Sequence, residues 1–119
     1  MENEKKFEEK RKFARLNTSV DVQYTVLEIK AAKEAKTKDI SAGGICIIAD
    51  EKLEVDCILG ISVYLSGESM PITAKGKVVW TRPFQVGKEN QHFDVGVEFT
   101  EISPEDRKKI DQYVFSFLK

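Results

Sequence analysis

An alternation of apolar and polar residues at period two returns along this chain and limits what it can fold into. Val20, Val22, Tyr24 and Val26 alternate with Ser19, Asp21, Gln23 and Thr25, the pattern of a strand with one buried face and one wet face. A second strand is expected over residues 34–39. Residues 45–48 form a short, continuously apolar run between Gly43-Gly44 and Asp50-Glu51, which suits a strand covered on both sides. Leu59, Ile61, Val63 and Leu65 carry a fourth alternation, and Ser66-Gly67-Glu68 supplies a turn. Beyond it, Ile72, Ala74, Gly76, Val78 and Trp80 are expected to face the core, while Thr73, Lys75, Lys77 and Thr81 face solvent. Phe93, Val95, Val97 and Phe99 mark the sixth strand. Six short strands separated by turn signals predict an all-β fold, a small antiparallel barrel or sandwich, and closure would remove the exposed edges. Gly76 in mid-strand predicts a sharp bend or a close backbone approach.

After the sixth strand the signals become helical. Ser103 suits an N-cap, Pro104 the first helical position, and Glu105 and Asp106 put negative charge in the first turn. Ile110, Tyr113, Val114, Phe117 and Leu118 then form an apolar stripe expected to lie on the barrel. With 119 residues and 13.5 kDa, one core is all that fits. The expected organisation is a flexible basic N-terminal arm over residues 1–15, a barrel over 16–102 and a helix over 103–119.

Charge separates the arm from the body. Residues 1–38 hold ten Lys or Arg against seven Asp or Glu, and residues 39–119 hold nine against thirteen. The near-neutral total excludes a uniformly basic nucleic-acid coat, so any anion site must be local. Cys46 and Cys57 lack zinc or redox spacing, and there is a single histidine, His92, with no acid–base or metal partner in sequence. Two reduced, buried cysteines and no metal are expected. No apolar run approaches the roughly 18 residues of a bilayer span, and the charged start has no apolar middle of a signal peptide, so no membrane insertion and a cytoplasmic setting are expected.

Two constellations carry possible chemistry. Arg11 and Arg15 stand four apart where the arm meets the barrel, so two guanidinium forks can meet one ligand, holding phosphate or guanine edges. A solvated basic segment has the same composition. Asp39, Ser41, Gly43 and Gly44 lie between the second and third strands. Asp39 and Ser41, two apart, can present a carboxylate and a hydroxyl on one side, as a nucleobase edge requires. The two glycines allow positive φ and close approach of a ligand. A turn held by Asp and Ser side chains fits the same residues. Chance occurrence of both patterns in one chain of this composition is about 0.004, an order-of-magnitude figure. The sole tryptophan, Trp80, reads as core from its place in the alternation, although an aromatic at a strand end can also touch a nucleotide. Arg82 reads as a surface residue that could add charge at the same rim.

In these residues the chain resembles the PilZ family, receptors of the bacterial second messenger cyclic di-GMP. The resemblance rests on RxxxR at Arg11 and Arg15, on DxSxxG at Asp39, Ser41 and Gly44, and on residues 76–80 and 95–99. It implies a six-stranded barrel whose arm folds across the ligand. Arg11 and Arg15 would grip phosphates and guanine edges, Asp39 and Ser41 would read a second guanine, and Gly44 would provide the turn. Many members carry an arginine directly before RxxxR. Here it is Lys10, which keeps the charge without the fork, so one ligand or an intercalated pair are both open. The implied function is a non-catalytic receptor that acts on a downstream protein partner. A degenerate member serving as a ligand-free adaptor, and a small barrel binding single-stranded nucleic acid, are alternatives, the latter disfavoured by the acidic barrel.

Overall fold

The computed structural model describes residues 13–87 and 90–118. The elements are β1 (Arg15–Asn17), β2 (Asp21–Val26), β3 (Ala32–Ser41), β4 (Gly44–Ala49), β5 (Ile58–Tyr64), β6 (Ile72–Val86), β7 (Asn90–Ile102) and α1 (Pro104–Phe117). All pairings are antiparallel, in the order β1-β3-β2-β5-β6-β7-β4, and β4 returns to β3. The sheet is therefore a closed barrel of six positions, with β1 and β2 sharing one of them. β1 pairs with the Asp39–Ser41 end of β3 and β2 with its Ala32–Lys36 end.

Thr37 spans the break between these two segments. Its hydroxyl donates to the Thr18 carbonyl at 2.6 Å and accepts from the Val20 amide at 2.9 Å, and its own amide donates to the Val20 carbonyl. Buried backbone groups need partners, and here one side chain supplies what the interrupted ladder does not. Arg15, assigned from sequence to the end of the arm, begins β1.

The core holds most of the inward-facing residues that the alternation marks, joined by Ile40 of β3 and Ile47 of β4. Val22, Tyr24, Ile40, Ile47, Leu59, Val63, Ile72, Val78 and Val95 are buried, and Ile110 and Val114 reach them from α1. Complete burial of side chains such as these last two stabilises by about 1.5–3 kcal/mol each. Tyr24 closes one flank with its hydroxyl donating to Glu51 Oε2 at 2.7 Å; burial, then this carboxylate, pushes its pKa up. Gly76 is a close approach as expected. A Cβ there would lie 2.5 Å from Val97 Cγ1, and the β6–β7 register shifts beside it.

Four expectations change in three dimensions. Trp80 does not face the core: a second register shift between Val78 and Trp80 turns both Val79 and Trp80 outward, leaving the indole 43% exposed. The β6–β7 hairpin runs beyond residue 81 and begins before 93, because Arg82 pairs with Asp94 and Phe84 with His92 past the last apolar alternation. At the end of α1, Phe117 and Leu118 are exposed rather than laid on the barrel; the Phe117 ring meets Tyr113 at 5.0 Å between centroids. Cys57 is half-buried, whereas Cys46 is buried, and both are free thiols. The start of α1 is as the sequence predicts, with Ser103 Oγ accepting from the Asp106 amide at 3.1 Å. Among the described residues, no helix is long and apolar enough to cross a membrane.

Candidate functional site

The site is assembled by strand register. β1 lies against the end of β3 with Arg15 opposite Ser41 and Asn17 opposite Asp39. Across β3, Asp39 faces Cys46 and Ser41 faces Gly44 of β4. β4 continues to β7 with Cys46 opposite Gly96, and β7 to β6 with Gly96 opposite Trp80. This path across the outside of the barrel forms the floor of a cleft of about 380 Å³, lined among others by Phe13, Arg15, Asp39, Ser41, Gly43, Gly44 and Trp80.

Arg15 Nε stands 3.8 Å from Asp39 Oδ1, an ion pair open to solvent on the arginine side. The Ser41 hydroxyl accepts from the Gly43 amide at 3.1 Å and donates to the Gly44 carbonyl at 3.3 Å. It therefore both lines the cleft and holds the turn into β4. The Gly43 carbonyl is fastened to β7 by the Phe99 amide at 2.9 Å.

The glycines act differently from the sequence expectation. Neither Gly43 nor Gly44 has positive φ; among the glycines that conformation belongs to Gly67 and Gly87. Gly44 is required because a Cβ would stand 2.2 Å from the Val97 carbonyl oxygen, where the β4 and β7 backbones meet. At Gly43 a Cβ would come within 3.0 Å of the Phe13 ring. Gly96 provides a flat seat for Trp80, since a Cβ there would fall 2.1 Å from Nε1. Cys46 also lines the cleft, and burial, followed by the charges of Asp39 and Asp94, pushes its thiol up to about 11.

Lys10 and Arg11 lie outside the described residues. Of the other expected residues, the structure brings Arg15, Asp39, Ser41, Gly43, Gly44 and Trp80 to this one cleft. Sequence reasoning missed Phe13, Gly96 and Asp94. Asp94 is 1% exposed and receives Lys38 Nζ at 2.8 Å and Arg82 Nη2 at 3.0 Å on its Oδ2. Arg82, 6.0 Å from the Trp80 ring, is thus tethered at the rim. His92 packs on Phe84 at 5.6 Å between centroids. The only available signals were an acidic residue and a glycine interrupting the outward positions of an otherwise apolar strand. Among the described residues, no group of three or more His, Cys, Asp or Glu could hold a metal ion.

The model of the PilZ domain matches residues 9–116. The chain belongs to the PilZ domain family. As a PilZ domain it is similar to the inhibitor of motility MotI/DgrA of Bacillus subtilis, with 24% identity and a TM-score of 0.73 over 91% of this chain and 51% of that one. It is also similar to the PilZ domain of YcgR from Escherichia coli, solved with c-di-GMP, with 17% identity and a TM-score of 0.69 over 89% of both chains. The MrkH–c-di-GMP complex of K. pneumonia matches with 17% identity and a TM-score of 0.73, over 91% of this chain and 51% of that one. At these identities the likeness is one of fold. The chain spans about half the length of MotI/DgrA and MrkH. No curated protein matches its sequence.

Proposed function

We propose that this PilZ chain is a non-catalytic receptor for cyclic di-GMP. The observation that carries the reading is convergence: the described members of both sequence motifs, Arg15 from one and Asp39, Ser41 and Gly44 from the other, line one cleft beside an exposed indole. Cyclic di-GMP offers two phosphates and two guanines, which call for guanidinium forks, base-edge acceptors and a stacking surface. Arg15 supplies a fork, Asp39 and Ser41 the edge partners, and Trp80 on Gly96 the surface. The resemblance to the family implies that the segment carrying Lys10 and Arg11 folds across the ligand. That rearrangement of the surface is the signal, received by a protein partner in the cytoplasm.

The reading has no catalytic step. Ser41 Oγ is held by the backbone of its own turn, and His92 packs on Phe84 away from the cleft, so among the described residues neither is paired with a base and orienting group. The PilZ domain of YcgR, solved with c-di-GMP, supports the ligand assignment through its fold.

Titration calorimetry with cyclic di-GMP tests the proposal and reads stoichiometry in the same experiment. Saturable binding at micromolar protein is expected, lost in Arg15→Ala while the far-ultraviolet dichroism is unchanged. No heat with the intact protein overturns the receptor reading in favour of a ligand-free adaptor.

A further inference from the structure

Phe13 stands in the chain midway between Arg11 and Arg15, and its half-buried ring is held from two sides. One contact is the DxSxxG turn, where Gly43 leaves just enough room for the ring. The other is α1: the guanidinium carbon of Arg107 lies 5.2 Å from the ring centroid, within the range of cation–π attraction. Arg107 Nε is shielded from solvent and has no hydrogen-bond partner among the described residues. Among the described residues, then, no carboxylate or carbonyl competes for this side of the guanidinium. Arg107 is also presented from a fixed support. Its amide donates to the Ser103 carbonyl at 2.9 Å, and one turn further along, Ile110 is fully buried in the barrel.

We infer that Arg107 is a positioning residue of the cleft, clamping Phe13 against Gly43 so that α1, Phe13 and the DxSxxG turn move as one unit. Only its effect on affinity rests on the receptor reading above; the clamp itself is a property of the chain. A ligand that draws Arg15 inward carries Phe13 with it, and the clamp passes that displacement to α1, whose far end exposes Phe115 and Phe117.

The test compares Arg107→Met, which keeps an apolar stem and removes the cation, with Arg107→Lys, which restores the cation. Without nucleotide, amide spectra of Arg107→Met are expected to shift at Arg15, Gly43 and Gly44, and those of Arg107→Lys to return toward wild type. Phe13→Leu should reproduce the Met pattern, because it removes the ring and leaves Arg107 in place. In calorimetry with cyclic di-GMP, Arg107→Met should bind about three- to tenfold more weakly, and Arg107→Lys within about twofold of wild type, as loss and retention of one cation–π contact imply. Unmoved Gly43 and Gly44 amides in Arg107→Met, or equal behaviour of the Met and Lys variants, would overturn the clamp. If wild type binds no cyclic di-GMP, the receptor reading fails, and the nucleotide-free spectra still decide the clamp.

Discussion

Gly44 and Gly96 sit in the same cleft and are needed for different reasons. The atom nearest a Cβ on Gly44 is the Val97 carbonyl oxygen at 2.2 Å, part of the β4–β7 ladder and unable to swing aside. Gly44→Ala should therefore lower stability by about 1–3 kcal/mol, the usual effect of overpacking, read as a fall in the urea midpoint. At Gly96 the nearest atoms belong to the exposed Trp80 side chain. Gly96→Ala should displace the indole at a stability change within about 1 kcal/mol, shift the emission of the sole tryptophan to the red, and weaken cyclic di-GMP binding. An unshifted spectrum would show that the indole does not rest on Gly96.

At the scale of elements, Asp94 ties β7 to β3 through Lys38 and to β6 through Arg82. Burial favours the neutral carboxyl, but the hydrogen bonds and charges of Lys38 and Arg82 outweigh it and hold the pKa below the ordinary carboxylate value. The folded chain thus binds this proton less tightly than the unfolded one. The resulting stabilisation is complete above the unfolded value of about 3.9 and disappears as pH falls through the lower folded value. Asp94→Asn is expected to lower stability at pH 7 by about 1–3 kcal/mol, the range for a hydrogen bond to a charged group. Its loss of stability on acidification below about pH 4 should be shallower than that of wild type. Parallel acid limbs in thermal melts would mean that Asp94 is not the titrating tie.

For the whole molecule, the division of charge decides between a small dianion and a long polyanion. The basic excess lies in residues 1–38 and the acidic excess in residues 39–119, so an extended strand that leaves the cleft meets repulsion. A small dianion has no condensed counterion atmosphere, so raising salt from 50 to 200 mM should weaken cyclic di-GMP binding by less than about tenfold, through screening alone. A long oligonucleotide held through six to ten phosphates would lose about 10³–10⁵-fold over the same interval. Oligonucleotide binding in gel shifts with a salt slope of the steeper kind, together with no heat from cyclic di-GMP, would favour nucleic acid as the natural ligand.

The period-two alternation by itself marked four of the six barrel positions and, Trp80 apart, their inward faces, because a strand covered on one side leaves a two-residue signature in any such fold. The helix cap at Ser103 and the two motifs were legible for a similar reason, since each depends on residues close together in the chain. What the tertiary structure decided depends on pairs distant in sequence. Trp80 reads as core until the register shift beside Val78 turns it onto Gly96. Gly44 reads as a flexible turn until the Val97 carbonyl closes over it. Asp94 becomes a buried tie once Lys38, 56 residues earlier, folds beside it, and Phe13 becomes part of the cleft once the turn at Gly43, thirty residues later, packs on its ring. Alternation records whether a side chain meets core or water, whereas strand register and helix docking set which distant group it meets.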